Sequence, residues 1–200
     1  NPCAITMTSE ERTPYQAQLI YLVRSSSPLM HALREVRSLG LASWCIGAGA
    51  IRSLVWDDLH GFQTPSAVDD MDVVYFDASA PLAQDAQLQR RLTSMVANIN
   101  WEVVNQAKVH EWYGDVFGQQ VSPLTSLADG LATWPEYATC VGIYLDTDDS
   151  LHVVAPYGLE DLFEMRVRHN PRRVSVECFA RRVQTKRFAE RWPKVTLFNP

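Results

Sequence analysis

Trp44-Cys45-Ile46-Gly47-Ala48-Gly49-Ala50-Ile51-Arg52, followed about twenty residues later by Asp70-Met71-Asp72-Val73-Val74-Tyr75-Phe76, is the stretch that decides the fold. A short apolar run enters a glycine turn and leaves it as a helix over Ala50 to Asp58, since glycine admits backbone angles that other residues resist. Asp72 to Phe76 reads as a strand with Asp70 at its mouth. Side chains alternate along a strand, so Asp70 and Asp72 point to one face of a sheet. Like charges that close repel, and a hard divalent cation that takes oxygen ligands stabilises such a pair. The residues alone suggest a metal-using enzyme that acts on a phosphate compound.

Three explanations of the glycine turn compete. A P-loop would end in Gly-Lys-Ser/Thr, which is absent. A dinucleotide fingerprint would put a third glycine where Arg52 stands; Asp77 fills the place of its ribose-binding acid, but Asp70 and Asp72 are then left without a use. The third explanation takes both features together. Backbone N–H groups of Gly47, Ala48 and Gly49 and the start of the following helix cradle a triphosphate, Arg52 adds a cation, and Asp70 and Asp72 hold Mg2+ or Mn2+. Magnesium keeps several waters and needs only one or two carboxylates beside substrate oxygens, so a small acidic pair suffices.

Outward from this stretch, apolar spacing predicts two opening helices, Pro14 to Ser26 and Pro28 to Leu39, and a third over Pro81 to Asn98. Trp101 to Val104 reads as the next strand. Val141 to Leu145 and Leu151 to Val154 flank the polar turn Asp146 to Ser150 as a hairpin. Pro156-Tyr157-Gly158 turns into a short helix, and Val176, Phe179, Ala180 and Val183 mark a last helix ending before Pro193. The order is helical start, mixed sheet, helical finish: an α/β (α+β) fold in which a short mixed sheet is flanked by helices.

With 200 residues, 46% of them apolar, the chain can bury one sizeable core, and a single domain over 1–200 is expected, with 1–12 flexible. No apolar run approaches a membrane span and the first residues lack the order of a secretory signal, so a cytoplasmic location is expected. Cys3, Cys45, Cys140 and Cys178 form no close-spaced pair, which argues against a zinc knuckle or redox motif and for buried free thiols. The net charge of −5 hides an asymmetry: Arg166 to Lys194 carries ten Lys or Arg against Glu177 and Glu190. The segment 166–200 is therefore a basic C-terminal helical region, read either as a solvated face or as a contact for phosphates or RNA.

The glycine turn followed by Asp70-Met71-Asp72-Val73 is similar to the pattern of the polymerase beta-like nucleotidyltransferase superfamily, with Ala48 where Gly or Ser is usual. More closely, the chain resembles a bacterial group of nucleotidyltransferase-like proteins of about this length. That resemblance is carried by Ile46 to Gly49 with Arg52 and Trp56, Asp70 to Phe76, Asn105 to His110, Trp134-Pro135-Glu136 with Ala138-Thr139, and Ala155 to Leu159 with Asp161-Leu162-Phe163. It implies transfer of a nucleoside monophosphate from an NTP to a hydroxyl acceptor, with release of pyrophosphate. It also implies a third acid on a neighbouring strand, for which Trp101-Glu102-Val103 has the form. Glu102 then completes the metal site or serves as the base; the competing reading is an ordinary exposed strand residue, and alternation alone does not choose the face.

Asn105, Gln106, Lys108 and His110 follow that strand and would bind the nucleotide if the strand ends at the site; otherwise the amides satisfy backbone groups and His110 makes a structural hydrogen bond. Glu136 reads as a cap or turn residue, Tyr157 and the tryptophans mainly as packing. Two further functions compete with the transferase: a non-catalytic nucleotide- or RNA-binding module on the same fold, and a hydrolase using the same acids.

Overall fold

The computed structural model describes residues 13–199. The stretch 1–12, expected to be flexible, and Cys3 within it lie outside the described residues. The central sheet has the strand order β3-β2-β1-β4-β5, built from β1 (Trp44–Gly47), β2 (Met71–Tyr75), β3 (Trp101–Asn105), β4 (Gly142–Leu145) and β5 (Leu151–Val154). β1 lies antiparallel to β2 and β4, β4 antiparallel to β5, and β2 parallel to β3. The mixed sheet and its helices form the α/β (α+β) architecture expected from the sequence.

Helices α1 (Pro14–Ser25) and α2 (Ser27–Arg37) begin at Thr13 and Ser26, whose side-chain oxygens accept from Gln16 N and Leu29 N, and each carries a proline in its first turn. They bury Leu19, Leu22, Val23, Leu33 and Val36 in the main core. From β1 the chain passes through Ala48 into α3 (Gly49–His60), which buries Ile51, Val55 and Trp56 against the same core. Val73, Tyr75, Trp101 and Val103 face this core, and alternation sends Cys45, Val74 and Val104 to the opposite face, where α6 (Leu127–Leu131) contributes Leu127 and Leu131.

Several elements differ from the sequence expectation. The helix expected from Pro81 is shorter, α4 (Gln84–Met95), because Pro81 to Ala83 form a turn. The hairpin's first strand starts at Gly142, since Tyr137–Thr139 form a 3-10 turn. α5 (Val109–Phe117) has no counterpart in the sequence pattern: it contains Gly114 and buries only Val109, so no apolar stripe announces it. After the short α7 (Glu160–Phe163), the expected last helix splits into α8 (Val176–Lys186) and α9 (Phe188–Arg191) at Arg187, which has φ of 51°. A small parallel pair, β6 (Arg166–Val167) with β7 (Thr196–Leu197), ties the chain's end back to the domain. Cys45 and Cys140 are buried free thiols as expected, whereas Cys178 is exposed on α8.

Asp57 is the internal fastener of the glycine-turn helix. Buried on α3, it accepts from Ser66 N at 2.7 Å, Ser66 Oγ at 2.6 Å and Trp192 Nε1 at 2.7 Å. One carboxylate therefore holds both the loop that leads to Asp70 and the chain after α9 against α3.

Ala48 stands with φ of 51° and ψ of −120°, a region that favours glycine. Ala48→Gly is expected to stabilise the fold by about 0.5–1 kcal/mol, relief of the Cβ clash outweighing glycine's extra unfolded-state entropy. Thermal unfolding measures it, and a lower melting temperature for the variant would refute the strain.

Candidate active site

The register of the ladder assembles the site. Asp72 lies beside Glu102 across the parallel pair, and Ile46 lies beside Val73 across the antiparallel pair, so one further step puts Gly47 beside Asp72. Gly47 in turn pairs with Gly142. Glu102, Asp72, Gly47 and Gly142 thus form one row across four strands, and paired residues share a face. Glu102 is exposed on the Asp72 face, which chooses between the two orientations that alternation left open.

Burial, then the charges of Asp70 and Glu102, push the Asp72 carboxyl up to about 7, while Arg182 and Lys186 act in the other direction. Three acids thus share one negative field, and α8 brings two cations to it. Neither cation was singled out in the sequence, where both sit in a basic stretch more than a hundred residues from Asp72. Lys186 reaches Asp69 at 3.5 Å.

Gly47 is required by close approach. A Cβ there would come within 2.7 Å of Trp134 Cη2 and 2.9 Å of Val141 O. The indole of Trp134 therefore lies against the glycine turn. Ala48 N donates to Val141 O at 3.2 Å, which fixes the turn to the strap before β4. α3 starts immediately after with no side-chain cap, so its first N–H groups lack helical acceptors.

Arg52, in the first turn of α3, is 3% exposed, and its Nε and Nη1 have no hydrogen-bond partner. Trp56, Phe188 and Trp192 surround the guanidinium with ring centroids at 5.6, 5.1 and 5.3 Å. Burial lowers its pKa to about 10, opposed by the carboxylate of Glu136 and lowered further by Arg182 and Arg191. Its Nη2 lies 3.5 Å from where a Cβ on Gly49 would stand, so the group folds back over the uncapped turn. Ser66, Ala67, Asp69, Thr185, Lys186, Arg187, Glu190 and Arg191 line a cavity of about 580 Å³, without Arg52.

Asn105, Gln106, Lys108 and His110 are not brought to this row. The parallel register places Asn105 beside Tyr75, three residues along from Asp72, or about 10 Å at strand rise. Asp70 and Asp72 lie where β2 and β3 begin, whereas the 105–110 segment lies where β3 ends. Asn105 is 1% exposed and its amide is used on the backbone: Oδ1 accepts from Asp77 N and Ala107 N at 3.1 Å each, and Nδ2 donates to Asp77 O at 2.7 Å. Gln106 is buried against Gly130 and Lys108 pairs with Glu111 at 3.3 Å. His110 Nδ1 is buried without a partner. Asn105→Ala is expected to cost about 2 kcal/mol in denaturant unfolding while leaving ligand affinity of the folded protein unchanged; loss of affinity at unchanged stability would give Asn105 a binding role instead.

Glu136, expected as a cap or turn residue, is fully buried and ion-paired with Arg182. Tyr157 donates its hydroxyl to Ala132 O at 2.9 Å and packs edge-on against Tyr137. Six of the ten Lys and Arg residues of the basic C-terminal segment make ion pairs within the domain. Arg166 and Arg168 meet Asp161, Arg172 meets Asp129, Arg182 meets Glu136, Lys186 meets Asp69 and Arg187 meets Glu190.

The sequence profile of a family described as Nucleotidyltransferase matches residues 34–197. No curated protein is detectably similar to the chain. Among solved structures, a protein described as revealing a CCA-adding enzyme head domain is 26% identical, with a TM-score of 0.76 over 92% of this chain and 96% of its own. The Thermotoga maritima CCA-adding enzyme complexed with tRNA is 12% identical with a TM-score of 0.54, and a CCA-adding enzyme complexed with CTP is 14% identical with a TM-score of 0.54. These two share the fold, and this chain spans 42% and 43% of their length.

Proposed function

Since the chain belongs to the Nucleotidyltransferase family, we propose that it binds a nucleoside triphosphate as its magnesium complex and transfers the nucleoside monophosphate to a hydroxyl acceptor. The observation that carries the proposal is the meeting, at one end of the sheet, of an acidic row with an orphaned buried cation. Asp70 and Glu102 both oppose the charge of Asp72 there, and Arg52 lacks acceptors beside an uncapped helix start.

Among the described residues no three His, Cys, Asp or Glu side chains converge into a ready-made cage for a metal. The donor set fits magnesium all the same, since that ion takes one or two carboxylates and completes its shell with water and substrate oxygens. Asp70 and Asp72 would hold it, with Mn2+ as the alternative, and when bound it neutralises charge building on the phosphates. Arg52 and the first N–H groups of α3 orient the phosphate oxygens. Glu102, beside Asp72 and exposed, receives the proton of the attacking hydroxyl. An O–P bond to the acceptor forms, the bond to pyrophosphate breaks, and its electron pair leaves with pyrophosphate.

Two of the structural neighbours named above bind CTP or tRNA by their descriptions, which supports a nucleotide as donor. The internal pairing of six basic residues in 166–194 favours the small-ligand reading over RNA capture by that segment. No helix among the described residues is long and apolar enough to cross a membrane, and a cytoplasmic location would supply both NTP and magnesium.

Calorimetric titration of each NTP, with and without magnesium, tests the proposal. Magnesium-dependent binding is expected for at least one NTP and is expected to vanish in the Asp70→Asn/Asp72→Asn double variant. Absence of binding by every NTP, or undiminished binding by the double variant, would overturn it.

A further inference from the structure

Glu136 is the best-sealed acid among the described residues. Its side chain is 0% exposed, both carboxylate oxygens accept from Arg182 Nε at 2.9 Å, and Oε2 also accepts from Thr139 Oγ1 at 3.3 Å. The segment that carries it is pinned. The buried Asn170 donates from Nδ2 to Ala132 O at 2.8 Å and Trp134 O at 2.9 Å, and its backbone N donates to Pro135 O at 2.9 Å. Tyr137 N adds a bond to Arg168 O. The same segment lays Trp134 on Gly47.

Stability alone does not call for a charge at this position. Removing a carboxylate and a guanidinium from water costs about as much as their attraction returns, and well-packed apolar side chains of similar volume are often an equal or more stable replacement for such a pair. What an ion pair adds is placement. Arg182 spends only Nε on Glu136, and its terminal nitrogens have no protein partner among the described residues. Arg52, whose charge the same carboxylate favours, also keeps two nitrogens without acceptors. Arg182 pairs with the buried anion and Arg52 lies within its field, each with donors left over; Arg182 also acts on Asp72 of the acidic row, and Arg52 folds back over the uncapped start of α3.

We propose that Glu136 is a positioning residue: it holds Arg182 opposite Arg52 so that the unspent N–H groups of both converge on the phosphate chain of the ligand. The inference rests on the phosphate subsite of the reading above. It adds Arg182 to that subsite and names the residue that aims it. The ligand chemistry is a polyphosphate, because two planar guanidiniums and a helix start offer more donors than one phosphate can use.

The probe is inorganic tripolyphosphate, titrated calorimetrically into the whole chain and into Glu136→Gln, Arg182→Met, the two combined, and Arg52→Met. Affinity is expected to fall at least tenfold in Glu136→Gln, and the combined variant is expected to bind no worse than Arg182→Met alone, the sign that Glu136 acts through Arg182. A purely structural role would lower the melting temperature and leave the affinity of the folded protein unchanged. Should Glu136→Gln fail to fold, Glu136→Asp keeps the charge while drawing the carboxylate back from Arg182 Nε, and the same tenfold loss is expected.

Wild-type affinity in Glu136→Gln or in Glu136→Asp, or fully additive losses, would overturn the role of Glu136 while leaving the subsite standing. Failure of the unmodified protein to bind tripolyphosphate or any magnesium NTP would overturn both. The Arg52→Met variant separates the two cases: if it alone weakens binding, the subsite exists without Glu136 behind it.

Discussion

Asp72→Asn is expected to raise the melting temperature at pH 8 while abolishing magnesium-dependent NTP binding. The two effects have one cause. Burial, with Asp70 and Glu102 alongside, lifts the Asp72 carboxyl to about 7, whereas in the unfolded chain it titrates in the ordinary carboxylate range near 4. Between those values the folded protein holds a proton that the unfolded chain has released, so stability falls as pH rises through the window and levels off above about 7. Asparagine resembles the protonated acid and escapes that loss. The variant's advantage is therefore absent below about pH 4, grows through the window and is full above it, at about 1–3 kcal/mol after allowance for solvent screening.

Magnesium added with NTP is expected to reverse the order, because a ligand that binds only the folded wild type stabilises it by mass action. Unfolding midpoints for both proteins at pH 4, 6 and 8, with and without magnesium NTP, measure all of this. An Asp72→Asn protein no more stable than wild type at pH 8 would remove the like-charge strain from which the metal site is inferred.

Gly47→Ala carries the second large effect. Its Cβ would sit 2.7 Å from the Trp134 ring and 2.9 Å from the carbonyl oxygen of Val141, closer than real Cβ atoms approach, and the second neighbour is backbone. Either the indole lifts away or β1 parts from the strap that precedes β4. Overpacking of this kind costs about 2 kcal/mol. The shift falls on the row that contains Asp72 and on the turn that opens α3, so NTP affinity is expected to fall at least tenfold. Trp134→Ala in the same background relieves only the ring contact and is expected to restore part of the stability. Gly47→Ala with an unchanged melting temperature and affinity would show that the turn gives way without disturbing the row.

The elements that surround the site were legible from local pattern. The apolar run Val73 to Phe76, the glycines before Ala50, and the two apolar runs around Asp146 to Ser150 each state a conformation within a few residues, and the structure has a strand, a helix start and a hairpin there. α5 was hidden because a helix that buries a single side chain leaves no periodic stripe. The break at Arg187 was hidden because a non-glycine residue with positive φ has no compositional mark.

The Nucleotidyltransferase resemblance and the closeness of Asp70 to Asp72 at the start of β2 were determined by the sequence itself, since residues two apart in the chain stay neighbours in any fold. Which face Glu102 occupies, and that Asn105 to His110 lie at the far end of its strand, were decided by the parallel register of β2 and β3. Register depends on both strands at once and on the core each must bury, so neither strand states it alone. That Arg182 reaches both Asp72 and Glu136, with Lys186 near Asp72 and Arg52 within the field of Glu136, was likewise left to tertiary structure. These positions, spread over more than a hundred residues, carry no mutual spacing in the chain, and only the docking of α8 and the strap before β4 against the sheet brings their charges within reach of one another.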